Sequence, residues 1–69
     1  MTIQTAIQNH VTDKKMRMRI SESFLRRGVD VMTVEQFANK YDHFSILQFH
    51  NIGKEAAGVI MEVVKKVLN

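Results

Sequence analysis

Apolar residues recur along this chain at intervals of three and four, and no stretch shows the alternation of a half-buried strand. Ile3, Ala6 and Ile7, with His10, predict a short helix ending near Val11. Met16, Ile20 and Phe24 lie four apart on one stripe, with Leu25 beside them, and predict a helix from about Lys14 to Arg27. Thr12-Asp13 supplies its N-cap, and Gly28 ends it, because glycine takes the left-handed conformation without a Cβ clash. Thr33-Val34-Glu35-Gln36 is a capping box opening a third helix, in which Val34, Phe37, Ala38 and Tyr41 face inward. Asp42 caps a short fourth helix through Phe49, with Phe44 and Leu47 inward. Asn51-Ile52-Gly53 reads as a turn. The last helix then runs from near Gly53 to Leu68 on a stripe of Ala57, Ile60, Met61, Val64, Val67 and Leu68.

These elements predict an all-α fold: one compact domain of four to five helices ending in a helix-hairpin-helix. Residues 1–12 form an N-terminal extension or short helix, and residues 13–69 form the core. Short connections make consecutive helices pack together.

Composition adds three constraints. At 69 residues the chain holds one domain, which buries a smaller share of its surface than a larger one. With no cysteine it has neither a disulfide framework nor a thiolate metal site, so helix packing or a partner must stabilise it. The reducing cytoplasm is the natural compartment. The N-terminus has no leader of secretory type, and no stretch is long and apolar enough to span a bilayer.

Charge is unevenly placed. The chain carries +3 overall, with a sequence pI near 9.6. Met1 to Arg27 holds six basic and two acidic residues, a net of +4, while Gly28 onward holds four basic and five acidic, a net of −1. A positive field concentrated on one helix suits a phosphate backbone or another acidic partner, and equally a solvated helix face.

The most informative segment runs from Phe44 to Ile60. A short helix leads into the tight turn Asn51-Ile52-Gly53, followed by the small Ala57 and the aliphatic Ile60. Glycine or asparagine suits positive φ in such a turn. Ile52 fills the gap between two helices, and Ala57 lets them approach. The first amides of the following helix are then left unpaired, facing outward, as an anion site.

Together with Leu25-Arg26-Arg27-Gly28-Val29 and Thr33-Val34-Glu35-Gln36-Phe37, the turn Asn51-Ile52-Gly53-Lys54 resembles the C-terminal domain of the bacterial RNA polymerase alpha subunit. The resemblance covers about Arg19 to Leu68. It implies binding to DNA backbone along the minor groove, in transcription, in a bacterial or phage setting. The implied nucleic-acid-binding residues are Arg19, Ser23, Arg26, Asn51, Gly53 and Lys54. The family's arginine falls on Ile20, with Arg19 adjacent, and its asparagine on Ser23. Its second turn lysine and its serine are Glu55 and Ala56, and a later acidic position is Val59.

Two functions remain open on these residues. One is a small module that contacts DNA phosphates through the 51–54 hairpin and the basic helix 14–27. The other is an adaptor of the same fold that does not bind DNA. It would dock on polymerase, a sigma-like factor or a second copy of the chain as a homodimer. No cofactor is implied. His10, His43 and His50 have no metal-ligand spacing, and no acid pair or nucleophile–base set points to an enzyme. The helix at 14–27 is basic and amphipathic, but its neighbours predict a packed domain rather than a membrane surface. The methionines serve as packing filler, except Met18 on the exposed side, and Tyr41 lies at the core edge.

Overall fold

The computed structural model describes all residues from Met1 to Asn69 as five helices: α1 (Ile3–His10), α2 (Lys14–Arg27), α3 (Val34–Lys40), α4 (His43–Ile46) and α5 (Lys54–Leu68). Each start has a local cause. The hydroxyl of Thr2 accepts from the Thr5 amide, the Asp13 carboxylate from Lys15, and the Asp42 carboxylate from Ser45. At α3 both halves of the capping box form: Thr33 Oγ1 accepts from the Gln36 amide at 3.1 Å, and Gln36 Oε1 from the Thr33 amide at 3.0 Å. Gly28 ends α2 at φ 74°, where a β-carbon is costly.

α5 is the hub, lying against α1, α3 and α4. The backbones of α1 and α2, and of α4 and α5, run close together, whereas that of α3 lies nearest α5 and α1 and meets α2 through the Phe24–Phe37 rings. The N-terminus is part of the core. Ile3, Ala6 and Ile7 are fully buried, and Met1–Ile3 is tied to the loop before α3 by Ile3 N–H to Met32 O at 2.8 Å and Val34 N–H to Met1 O at 3.2 Å. Residues 1–12 thus contain a structural helix. A cluster of Phe24, Phe37, Tyr41 and Phe49, with centroids 5.0 to 6.1 Å apart, joins α2, α3 and the segment after α4. Edge and tilted ring contacts of this kind add to the burial of the rings themselves.

Four residues placed on or beside the apolar stripes, Leu25, Phe44, Met61 and Leu68, prove exposed. Leu25 is 60% exposed, because at 100° per residue it lies about 140° from the centre of the Met16–Ile20–Phe24 stripe. Phe44 is 77% exposed; Leu47 is partly buried and packs against the core, but Ile46, Phe49 and Ile52 are the buried residues of this segment. α4 closes after one turn, and Gln48→Ser45, Phe49→Ile46 and Ile52→Phe49 hydrogen bonds wind the chain three residues at a time. That tighter winding puts every third residue on one side. On α5 the buried arc is Ala56, Ala57, Ile60, Val63 and Val64, leaving Met61 and Leu68 on the rim. Packing on three helices centres this arc nearer Ala56 and Val63 than the simple stripe did.

No helix is long and apolar enough to cross a membrane.

Candidate nucleic-acid interface

The site is built on α2. Two arginine–serine pairs, each spaced four apart, lie on opposite flanks of this helix: Arg17 with Ser21, and Arg19 with Ser23. The first pair faces α1 and is engaged there. The Arg17 guanidinium donates to the Val11 carbonyl at 3.0 Å. Gln8 Nε2 donates to Ser21 Oγ at 2.8 Å, and Gln4 Nε2 to the Ser21 carbonyl at 3.2 Å.

The second pair is not engaged in the same way. Ser23 is 2% exposed, and its hydroxyl has no hydrogen-bond partner. A serine within a helix ordinarily turns its hydroxyl to solvent or to the carbonyl four residues back; Ser23 does neither. Arg19 Nη2 reaches only the Met16 sulfur, a weak acceptor, at 3.3 Å, and its Nε is buried without a partner. Arg19, Ser23 and Arg26 fall within about 60° of arc on the helix, so they form one row.

At the C-terminal end of that row lies a cleft of about 280 Å³ lined entirely by polar residues: Ser23, Arg26, Arg27 and His50. Arg27 is held in place by stacking. Its guanidinium carbon sits 4.3 Å from the centre of the Phe49 ring and 5.7 Å from that of Tyr41. Such contacts fix the planar group and leave its N–H edge free to donate. Phe49 is placed there by the three-residue winding after α4, which also brings His50 to the cleft.

The turn follows directly. Ile52 is buried between the helices and Ala57 is fully buried, as the hairpin requires. The left-handed residue is Asn51, with φ 63°. Gly53 is extended, at φ −96° and ψ −170°, and a β-carbon added there meets no atom within 4 Å. Its glycine character is therefore not demanded by the turn. Gly53 is the N-cap of α5 and gives no side-chain hydrogen bond, unlike the caps of the other four helices. The first backbone bond of α5 is Ala57 N–H to Gly53 O, which leaves the preceding amides without a side-chain cap.

Of the six residues expected to bind nucleic acid, Ser23 and Arg26 line the cleft. Arg19 lies one turn away on the same row. Asn51, Gly53 and Lys54 are exposed just beyond His50 but do not line it. Sequence reasoning missed Arg27 and His50. Arg27 was detectable as the residue four beyond Ser23; His50 depended on the tight winding of the preceding segment.

Asp42 is the titratable group with a distinct shift. Its carboxyl is held below the ordinary 3.8, first by the Ser45 backbone N–H and then by the Ser45 hydroxyl. This is the chemistry of a cap. No group of three or more His, Asp or Glu side chains is arranged to hold a metal ion.

The chain matches no protein-family model, no curated protein and no solved structure.

Proposed function

We propose that this protein is a small nucleic-acid-binding module that holds backbone phosphates in the polar cleft between α2 and His50. The observation that carries this reading is the cleft itself. Two arginines and a histidine line it together with Ser23, whose buried hydroxyl no protein group satisfies. A buried polar group without a partner is costly, of order 1–3 kcal/mol; the Ser23 hydroxyl is closed off from solvent as it stands, and rotation toward the cleft would let a phosphate oxygen supply the missing partner. Arginine is suited to this work because its fork can meet two phosphate oxygens at once. Lys54 and the uncapped start of α5 lie beyond His50 and extend the positive surface. Glu55 in the first turn of α5 opposes it, so the contacts centre on α2. Phosphate contacts position a protein without reading sequence, so the module binds with low sequence preference. A place in transcription rests on the resemblance to the polymerase alpha C-terminal domain.

Titration with a labelled oligonucleotide at low and at moderate salt tests this. Affinity should fall with salt on a logarithmic slope of about −0.9 per phosphate contact on duplex and about −0.7 on a single strand. Arg26→Ala should reduce that slope by about 1. Absence of binding at low salt, or binding indifferent to salt, would exclude the proposal.

One observation favours a second reading, the adaptor. Met18 and Leu25 lie seven apart on the outer face of α2, exposed, and Phe44 is exposed on α4. Isolated apolar residues on a surface are common. The adaptor reading requires these three to lose solvent exposure in a complex that Leu25→Glu disrupts, with no oligonucleotide binding at low salt.

A further inference from the structure

Arg27 borders two clefts. Beyond the polar cleft lies a second, of about 640 Å³, and the Arg27 guanidinium lines both. The two differ in chemistry. The second has an apolar part, Val29 and Met32, and carboxamides at Gln36 and Asn39, with Tyr41 at one side. Gln36 Oε1 is already committed to the Thr33 amide, so its NH₂ is left as a donor. Asn39 is exposed and offers both a donor and an acceptor. Lys40 also lines this cleft.

A ligand filling both clefts needs an anionic group at one end and a flat, partly apolar group with polar edges at the other. The two must lie on either side of Arg27, which lines both clefts. A nucleotide has this form: phosphate, sugar and base. The Arg27 guanidinium carbon lies 4.3 Å from the centre of the Phe49 ring and the residue is exposed, and a guanidinium plane is a good surface for a base. A base paired inside a duplex cannot leave the stack to enter such a cleft without cost.

We infer that the 640 Å³ cleft is a base site and that the protein prefers an unpaired strand to a duplex. This rests on the phosphate reading of the smaller cleft. The phosphate sits with Ser23, Arg26 and His50. The base stacks on Arg27 and turns its edge to Asn39 and Gln36.

The test uses three probes at one salt concentration: a short oligothymidylate, the same strand lacking all bases, and that strand in a duplex. Stacking one base on a protein platform is typically worth about a tenfold gain in affinity. Oligothymidylate should therefore bind about tenfold tighter than the abasic strand, and tighter than the duplex. Asn39→Leu, an exposed position, should shrink the margin over the abasic strand and leave abasic binding unchanged. The methyl signals of Val29 and Met32 should shift with oligothymidylate and stay in place with the abasic strand. Equal affinity for strands with and without bases overturns the base site and leaves the phosphate site standing. A preference for duplex overturns it as well. Failure of all three probes to bind at low salt removes both.

Discussion

The two flanks of α2 carry the same pair of residue types at the same spacing and treat them in opposite ways. On the α1 side Arg17 and Ser21 end on protein acceptors and donors. On the turn side Ser23 Oγ and Arg19 Nε are buried without partners, and the row leads into a cleft of cations. Gln4 Oε1 is unpartnered on the first side, yet the other end of that carboxamide is bonded. Unpaired buried groups are rare in native proteins because each is costly. The turn-side flank carries two of the three unpartnered atoms and leads to the polar cleft, and it is the flank for which we propose a ligand.

The comparison can be strained hardest at Phe49, which supports Arg27 and contacts three other rings of the cluster. Phe49→Ala should cost about 3–5 kcal/mol in chemical denaturation. That is a large part of the stability a small domain has. A loss under about 1 kcal/mol would mean that the turn flank is not packed as described.

Next in size is a pair of variants with opposite signs. Ser21→Ala removes a bonded hydroxyl, leaves Gln8 without its partner, and should destabilise by about 1 kcal/mol. Ser23→Ala removes a hydroxyl that nothing satisfies, and should leave stability unchanged or raise it by about 1 kcal/mol. It should also weaken oligonucleotide binding, which Ser21→Ala should not. Equal stability changes of the same sign would erase the contrast between the flanks.

The turn gives a smaller contrast. Asn51→Ala keeps a β-carbon at φ 63° but removes the short polar side chain that eases this conformation, and should cost about 1 kcal/mol. Gly53→Ala meets open space at an ordinary φ and should change stability by no more than about 0.5 kcal/mol. Thermal melts of the two variants decide this.

Asp42 gives the smallest effect, and its sign is fixed. Because the folded carboxyl titrates below its unfolded value, its contribution is complete above about pH 4 and is lost as pH falls through the folded pKa. The melting temperature of the wild type should therefore fall with acidification in that range, and Asp42→Asn should flatten the fall. An unchanged acid slope in Asp42→Asn would separate this cap from acid stability.

Helix boundaries were legible wherever a side chain or a glycine sets them. Asp13, Gly28, the Thr33–Gln36 box and Asp42 all act where their local chemistry predicts. The segment from Leu47 to Ile52 was not legible in detail, because the chain passes from four-residue winding at Leu47 to three-residue winding at Gln48 with no local residue that marks the change. That change decided which aromatic supports the site. Ser23 and Arg26 could be placed on one helical row by spacing alone. The cleft they share with Arg27 and His50 arises from tertiary closure over Phe49, which no local pattern encodes.

The flank contrast is tested most directly by adding oligothymidylate to isotope-labelled protein at low salt and following backbone and side-chain signals. The expected result is that shifts gather at Ser23, Arg26, Arg27 and His50, with Arg17 and Ser21 unmoved. Shifts centred on Gln4, Gln8 and Ser21, with the cleft residues silent, would contradict it.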